Sequence, residues 1–222
     1  MQAPAFPPDE TLRLAALRAT GLLDTPREER FDRLTRLARL LLDVNIAVVS
    51  LVDSDRQWFK SCDGLDASAT SRDMSFCGHT ILQADIFEVP DALLDPRFAD
   101  NPLVLGSPHI RFYAGAPLRS PEGLRLGSLC VIHDEPRQLD PGQRRTLRDL
   151  ADLVEQEINQ QVLRERTEAL QRARYLGEVL VDTQALFIRD ADRSSVFENL
   201  LNQLLELTES DVGFLGEVYK LG

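Results

Sequence analysis

Three cysteines and three histidines are the residues of this chain best suited to metal or thiol chemistry. Cys77 and His79 stand two apart, and Cys130 and His133 three apart. A structural zinc needs four converging nitrogen or sulfur ligands. Cys130 and His133 fall on an extended segment, where a spacing of three sends them to opposite faces. Paired C-x-x-C spacings are absent. No metal is therefore expected. The alternative is a set of small buried residues and one hydrogen-bonded histidine. Thiol chemistry is the other option, through Cys77 or Cys130, but it asks for an electropositive, partly open site. Cys62 belongs to a predicted second strand, with no partner evident. Polar candidates complete the set: Asp91, Asp95, Arg97, Arg111 and Tyr113. Arg111 and Tyr113 share one face of a predicted strand, with Ile110, Phe112 and Ala114 on the other. A cation and a phenol on one wall suit a carboxylate or another polar ligand. Equally, Arg111 can pair with Asp91 or Asp95 to lock a loop.

The elements that must position these residues follow from periodicity. Residues 1–8 hold three prolines and read as a flexible lead. Asp9 to Gly21 predicts a short helix with Leu12, Ala15, Ala16 and Ala19 on one face and Gly21 as its left-handed stop. Thr25-Pro26-Arg27-Glu28 reads as a capping box. Phe31, Leu34, Leu37, Ala38 and Leu41 follow as the stripe of a second helix. Asn45 to Asp53 is β-branched and apolar, as in a strand buried on both faces. Arg56 to Cys62 returns as its hairpin partner across Asp53-Ser54-Asp55. Ser71 to Leu82 has mixed helical signals, Ile86 to Val89 is a short strand, and Asp91 to Pro108 is a loop with helical turns. Ile110 to Leu118 and Leu124 to His133 form a second hairpin around Pro121-Glu122-Gly123.

Asp140-Pro141-Gly142-Gln143 is another capping box. It opens a helix that continues to about Asp190, long for a globular protein. Its apolar positions (Leu147, Leu150, Val154, Ile158, Val162, Ala169, Leu176, Val179) are interrupted by charge between Gln161 and Arg174. A two-stranded coiled coil with Gln161, Glu165 and Arg172 on its seam tolerates that better than a core-facing helix does. A new helix, Val196 to Leu207, and a new strand, Val212 to Tyr219, then repeat the chemistry of Phe31 to Val52 as a weak internal repeat.

Composition bounds the function. The chain has 222 residues, 43% hydrophobic and 27% charged, with Lys+Arg 25 against Asp+Glu 36 for a net charge of -11. That is globular and not disordered. The acidic balance argues against nucleic acid or an anionic membrane as partner. No apolar run approaches the ~20 residues of a membrane helix. The first residues show neither a basic region nor an apolar core of a signal peptide. Three cysteines cannot all pair. A cytoplasmic protein is expected.

Several segments together resemble the GAF domain of bacterial signalling proteins: Ser75-Phe76-Cys77-Gly78-His79-Thr80-Ile81, Val89-Pro90-Asp91-Ala92 with Asp95-Pro96-Arg97-Phe98, Phe112 to Leu118, and Leu126 to Ile132. They are similar to the N-terminal sensors of histidine kinases and diguanylate cyclases. Leu207 to Val218 is similar to the opening of a second GAF domain. The resemblance implies an α+β, PAS-related fold, an antiparallel sheet of five or six strands flanked by helices and followed by a long signalling helix. The divisions are then 1–24 as extension, 25–158 as the domain, 159–191 as linker helix and 192–222 as the start of a second domain. It also implies a small-molecule pocket between the sheet and the irregular middle region. Phe76, Cys77, His79, Asp91, Asp95, Phe98, Arg111 and Tyr113 are its candidate ligand-binding residues.

No cofactor is expected. A bilin-binding GAF domain has cysteine beside histidine, whereas Gly78 separates Cys77 from His79. The asparagine–lysine pair of cyclic-nucleotide GAF domains is also missing, since Pro102 follows Asn101. The expected function is a non-catalytic sensory module of a signal-transduction protein, in a two-component or cyclic di-GMP pathway. It binds a small ligand, dimerises through residues 141–190, or both, and relays its state to an output domain. The alternative is a cysteine-based redox sensor, or an enzyme like the GAF proteins that reduce free methionine sulfoxide.

Overall fold

The computed structural model describes residues 1–188 and 201–202. It divides into two units, residues 1–163 and 164–222. The first unit holds helices α1 (Glu10–Ala19) and α2 (Glu29–Leu42), then strands β1 (Ile46–Val52), β2 (Arg56–Asp63) and β3 (Ala69–Ser71). A 3-10 turn (Arg72–Met74) leads to α3 (Phe76–Thr80), β4 (Phe87–Val89), α4 (Pro102–Leu105), β5 (Phe112–Arg119) and β6 (Arg125–His133). Helix α5 (Pro141–Ile188) closes the order. Its first turn carries the expected capping box: Gln143 N donates to Asp140 Oδ1 at 2.8 Å and Gln143 Oε1 accepts from Asp140 N at 3.1 Å.

All six strands join one antiparallel sheet in the order β3-β2-β1-β6-β5-β4. Two hairpins, β1–β2 and β5–β6, are sewn together where β1 pairs with β6. Side chains alternate across the sheet, so each strand feeds two cores. Ala47, Val49, Leu51, Phe112, Ala114 and Val131 meet α1, α2 and the start of α5 through Leu17, Phe31, Leu147, Val154 and Ile158. Ile46, Val48, Tyr113, Cys130 and Ile132 meet the irregular middle region through Phe76, Ile81, Phe98 and Val104. This two-faced sheet matches the fold class expected from the sequence.

The local differences have identifiable causes. The face expected on α1 is wrong: Leu12 is 65% exposed, while Arg13 and Leu17 are buried. The helix is turned by one residue, about 100°, because Arg13 Nη1 reaches the carbonyl of Val52 at 2.7 Å at the end of β1. Gly21, at φ 62, does supply the stop after Thr20. The capping box at Thr25–Glu28 does not form, and α2 begins at Glu29 without a side-chain cap. Buried Lys60 takes those groups instead, donating to Thr25 Oγ1 at 2.6 Å and Pro26 O at 2.7 Å and meeting Glu28 Oε1 at 2.5 Å. On α2 the buried stripe is Phe31, Leu34, Thr35, Ala38 and Leu42; Leu37 and Leu41 face outward.

The lead at residues 1–8 is docked, not free. Pro4 and Pro7 are buried, Gln2 N donates to Arg97 O at 2.9 Å, and Phe6 lies 4.3 Å from the Arg72 guanidinium. Among the described residues no helix is long and apolar enough to cross a membrane. The helix and strand expected at 192–222 lie outside the described residues, apart from the helical pair 201–202.

Glu10 ties this edge together. It meets Arg13 Nε at 2.7 Å and Arg72 Nη1 at 2.5 Å, and Arg72 in turn donates to Asp53 O at 2.7 Å. Burial pushes the Glu10 carboxyl up, but the two guanidinium groups outweigh it and bring it from 4.5 to about 2. A depressed carboxylate contributes stability above its unfolded pKa and loses it as pH falls through the folded value. The Glu10 contribution is therefore complete above about pH 5 and disappears towards pH 2. Glu10→Gln should cost about 2 kcal/mol near neutral pH, because Arg13 is left with a weakened partner. The difference from wild type should shrink on acidification, as read by chemical denaturation across that range.

Candidate functional site

A small cavity opens between the sheet and the middle region, where the resemblance placed a pocket. Its walls come from β1 (Val48), β2 (Gln57, Phe59), α3 (Phe76, Cys77), β5 (Tyr113) and β6 (Cys130, Ile132), closed by Leu103 and Ile110. Its volume is about 30 Å³, room for one or two waters. Pockets for ordinary metabolites run to roughly 300–1,000 Å³. In this conformation the cavity accepts a molecule of only a few heavy atoms.

Of the eight candidate residues, three line the cavity: Phe76, Cys77 and Tyr113. Phe98 is buried behind them, stacked on Phe76 with ring centroids 3.9 Å apart. The other four lie outside the lining of this cavity. His79 sits edge-on to Phe98 at 5.0 Å, with Nε2 3.0 Å from the carbonyl of Gln2 in the docked lead. Burial pushes the His79 pKa down. Asp91 forms a local turn, its Oδ1 accepting from Leu93 N at 3.0 Å. Asp95 takes Arg97 in a two-point bridge, Nε to Oδ1 at 2.9 Å and Nη2 to Oδ2 at 2.5 Å. That bridge holds the Asp95 carboxyl below its ordinary value. Arg111 does not line the cavity and forms no ion pair with Asp91 or Asp95. Its Nη1 donates to the carbonyls of Val104 (2.9 Å) and Ile110 (3.0 Å), tying down the end of α4. The strand β5 starts one residue later, so the alternation that paired Arg111 with Tyr113 does not extend back to it.

The geometry adds what spacing alone did not show. Cys77 and Cys130 Sγ lie 3.7 Å apart, both free thiols and both buried. The hydroxyl of Tyr113 donates to Cys77 Sγ at 3.5 Å and is 2.7 Å from Thr80 Oγ1. Ser50 and Ser128 are paired across β1 and β6, fully buried, and their hydroxyls have no hydrogen-bond partner within the protein. Both stand near enough to Cys77 to stabilise its thiolate. Burial raises both thiols, but the groups around Cys77 outweigh it there and draw that pKa down. Cys130, facing Cys77 in the same dry space, is held up. Cys62 is apart from this pair: burial pushes it to about 11, and its thiol donates to Leu65 O at 3.3 Å. Among the described residues no three His, Cys, Asp or Glu side chains converge as metal ligands do.

A family model of the GAF domain matches residues 26–158. The chain belongs to the GAF domain family. It is 50% identical over 137 residues to a protein of Pseudomonas aeruginosa named cyclic di-GMP phosphodiesterase. That stretch is 62% of this chain and 23% of the relative, so the chain spans about a quarter of the relative's length. The GAF domain of an Acinetobacter phosphoenolpyruvate-protein phosphotransferase superposes with a TM-score of 0.50 at 18% identity, covering 66% of this chain and 92% of that one. The PixJ GAF domain of Thermosynechococcus elongatus, in its blue-light-absorbing form, superposes with a TM-score of 0.50 at 18% identity, covering 70% and 94%. At that identity the two structures speak for the fold alone.

Gly115 shows how tightly the GAF cavity wall is built. A Cβ there would lie 2.3 Å from the Tyr113 hydroxyl and 2.7 Å from Thr80 Oγ1. The missing side chain is the space into which the phenol folds. Gly115→Ala should displace the Tyr113 ring, break its bonds to Thr80 and Cys77, and cost roughly 1–3 kcal/mol. Tyr113→Phe, which removes only the hydroxyl, should cost about 1 kcal/mol. Thermal denaturation of the two variants beside wild type separates ring displacement from loss of the hydroxyl.

Proposed function

We propose that this GAF domain is a non-catalytic sensory module of a cytoplasmic signalling protein and that α5 relays its state to an output domain. The observation that carries this reading is the double life of α5. Leu147, Leu150, Ala151, Val154, Ile158 and Val162 are buried, most of them in the core under the sheet. Further along, Leu163 (54%), Leu170 (71%) and Val181 (63%) are exposed apolar residues. The helix thus touches the same sheet whose other face walls the cavity, and then offers apolar side chains to a partner. A change in the packing of the sheet biases the helix, and a coiled-coil dimer converts that bias into a change of register.

The acting partner is a second copy of the chain. Leu37 and Leu40 on α2 are also exposed, and Arg33 of α2 is bridged at 3.2 Å to Glu157 of α5. Exposed leucines on adjacent helices are what a symmetric helical interface uses. The name of the Pseudomonas relative supports turnover of cyclic di-GMP as the output, on a part of the protein outside this GAF domain. The segment 192–222 then opens a second domain of the same kind. The input is a ligand of a few heavy atoms, or a larger one admitted when the middle region moves.

Sedimentation of the 222-residue chain should show a dimer at micromolar concentration. Leu170→Asp, which puts a charge from each chain on the exposed apolar face of Leu163 and Leu170, a different face from the Gln161, Glu165 and Arg172 seam expected from the sequence, should weaken it about tenfold or more. A chain that stays monomeric at high concentration would sink the relay as stated.

A further inference from the structure

We propose that Cys77 and Cys130 form a thiol pair that a hydroperoxide oxidises reversibly to an intramolecular disulfide. Neither the ligand reading nor the dimer is needed for this, because the pair is complete within one GAF domain.

Four observations converge on it. The sulfurs are 3.7 Å apart, in van der Waals contact, and a disulfide needs them at roughly 2.05 Å. They belong to different elements, Cys77 to α3 and Cys130 to β6. Both line the cavity, whose 30 Å³ suits the reacting end of a hydroperoxide and little more. Lastly, hydroxyl donors are gathered at the pair, Ser128 acting on both sulfurs. Tyr113 donates to Cys77 Sγ, and the otherwise unpartnered hydroxyls of Ser50 and Ser128 stand beside it. A buried hydroxyl without a partner is costly in a dry core. Two of them at the thiol pair are accounted for when one of its sulfurs is a thiolate accepting hydrogen bonds, and the Tyr113 hydroxyl marks Cys77 as that sulfur. The arrangement gives the two cysteines different roles. Cys77 is the nucleophile, and Cys130, whose thiol is held protonated, resolves.

The chemistry balances in two steps. The Cys77 thiolate attacks the distal oxygen of the hydroperoxide. An S–O bond forms, the O–O bond breaks, and the alkoxide or hydroxide leaves with the electron pair and takes up the proton that Cys77 released on forming its thiolate, giving alcohol or water and a sulfenic acid at Cys77. Cys130 sulfur then attacks Cys77 sulfur. The S–S bond forms, the S–O bond breaks, and hydroxide leaves with the proton of the Cys130 thiol as water. The peroxide is reduced by two electrons and the two thiols are oxidised by two. A dithiol reductant reverses the change through a mixed disulfide.

The test counts thiols in the 222-residue chain after exposure to hydrogen peroxide, quenching and denaturation. The expected result is a fall from three thiols to one, with Cys62 the thiol retained. Peptide mapping should find the peptides of Cys77 and Cys130 joined, and dithiothreitol should restore all three thiols. Cys130→Ser should stop at the sulfenic acid, captured on Cys77 by dimedone, while Ser50→Ala with Ser128→Ala should slow the first step several-fold. The proposal is overturned if three thiols survive peroxide, if Cys62 is the residue oxidised, or if the only disulfide links two chains. The wild-type measurement decides on its own should a variant fail to fold.

Discussion

The pairing of β1 with β6 is the constraint on which everything else in the domain rests. Each hairpin is local and marginal when isolated. Joined along Ile46 to Leu51, they become one sheet with two covered faces. One face needs helices, and α1, α2 and the first turns of α5 supply them. The other is covered by the irregular middle region, whose turns and short elements leave a gap at the β1–β6 seam. Ser50 and Ser128 meet across that seam, and Cys130 is two residues further along β6. The pairing that makes the sheet therefore also brings two buried hydroxyls together on the strand that carries Cys130.

Buried charge does the second share of the work at the edges. Arg13, Lys60 and Arg72 are each almost fully buried, and each reaches a carbonyl of another segment while paired with a glutamate. A buried cation that lost its partner would be strongly destabilising, so these bonds specify where the segments go. Arg13 sets the rotation of α1, Lys60 takes the start of α2 away from its capping residues, and Arg72 holds the docked lead through Phe6.

Those three residues also explain what could and could not be read from the chain. Strand periodicity, the hairpin turns and the Asp140–Gln143 box were legible because each is a local pattern. So were the two faces of the sheet. The rotation of α1 was not, because an apolar stripe is the usual rule and a buried arginine breaks it for a partner 39 residues away. The failed cap at Thr25–Glu28 has the same origin, since Lys60 is 32 residues from the glutamate it takes. At the site, the motifs placed Phe76, Cys77 and Tyr113 at the wall of the cavity. Arg111 does not line it, because β5 begins just after it. The meeting of Cys77 with Cys130 depends on how α3 settles against β6, a tertiary fact. One signal for it was present: in the β5–β6 register Gly115 faces Cys130, and Gly115 is two residues from Tyr113 on the same face.

The size of the cavity bears on how such a domain can sense at all. A volume of about 30 Å³ offers little apolar surface to a ligand, hence little binding energy to move a helix. An equilibrium shifts only by the difference in affinity between two states. A covalent change is not bound by that limit, since bond formation replaces binding energy. Cys130 belongs to β6, and β6 carries Leu129 and Val131 into the same core that receives Leu147 and Val154 of α5. The proposed bond between α3 and β6 on one face would therefore act on the strand that supports α5 on the other. The thickness of a single sheet separates the cavity from the helix, and the strand that walls one also packs against the other.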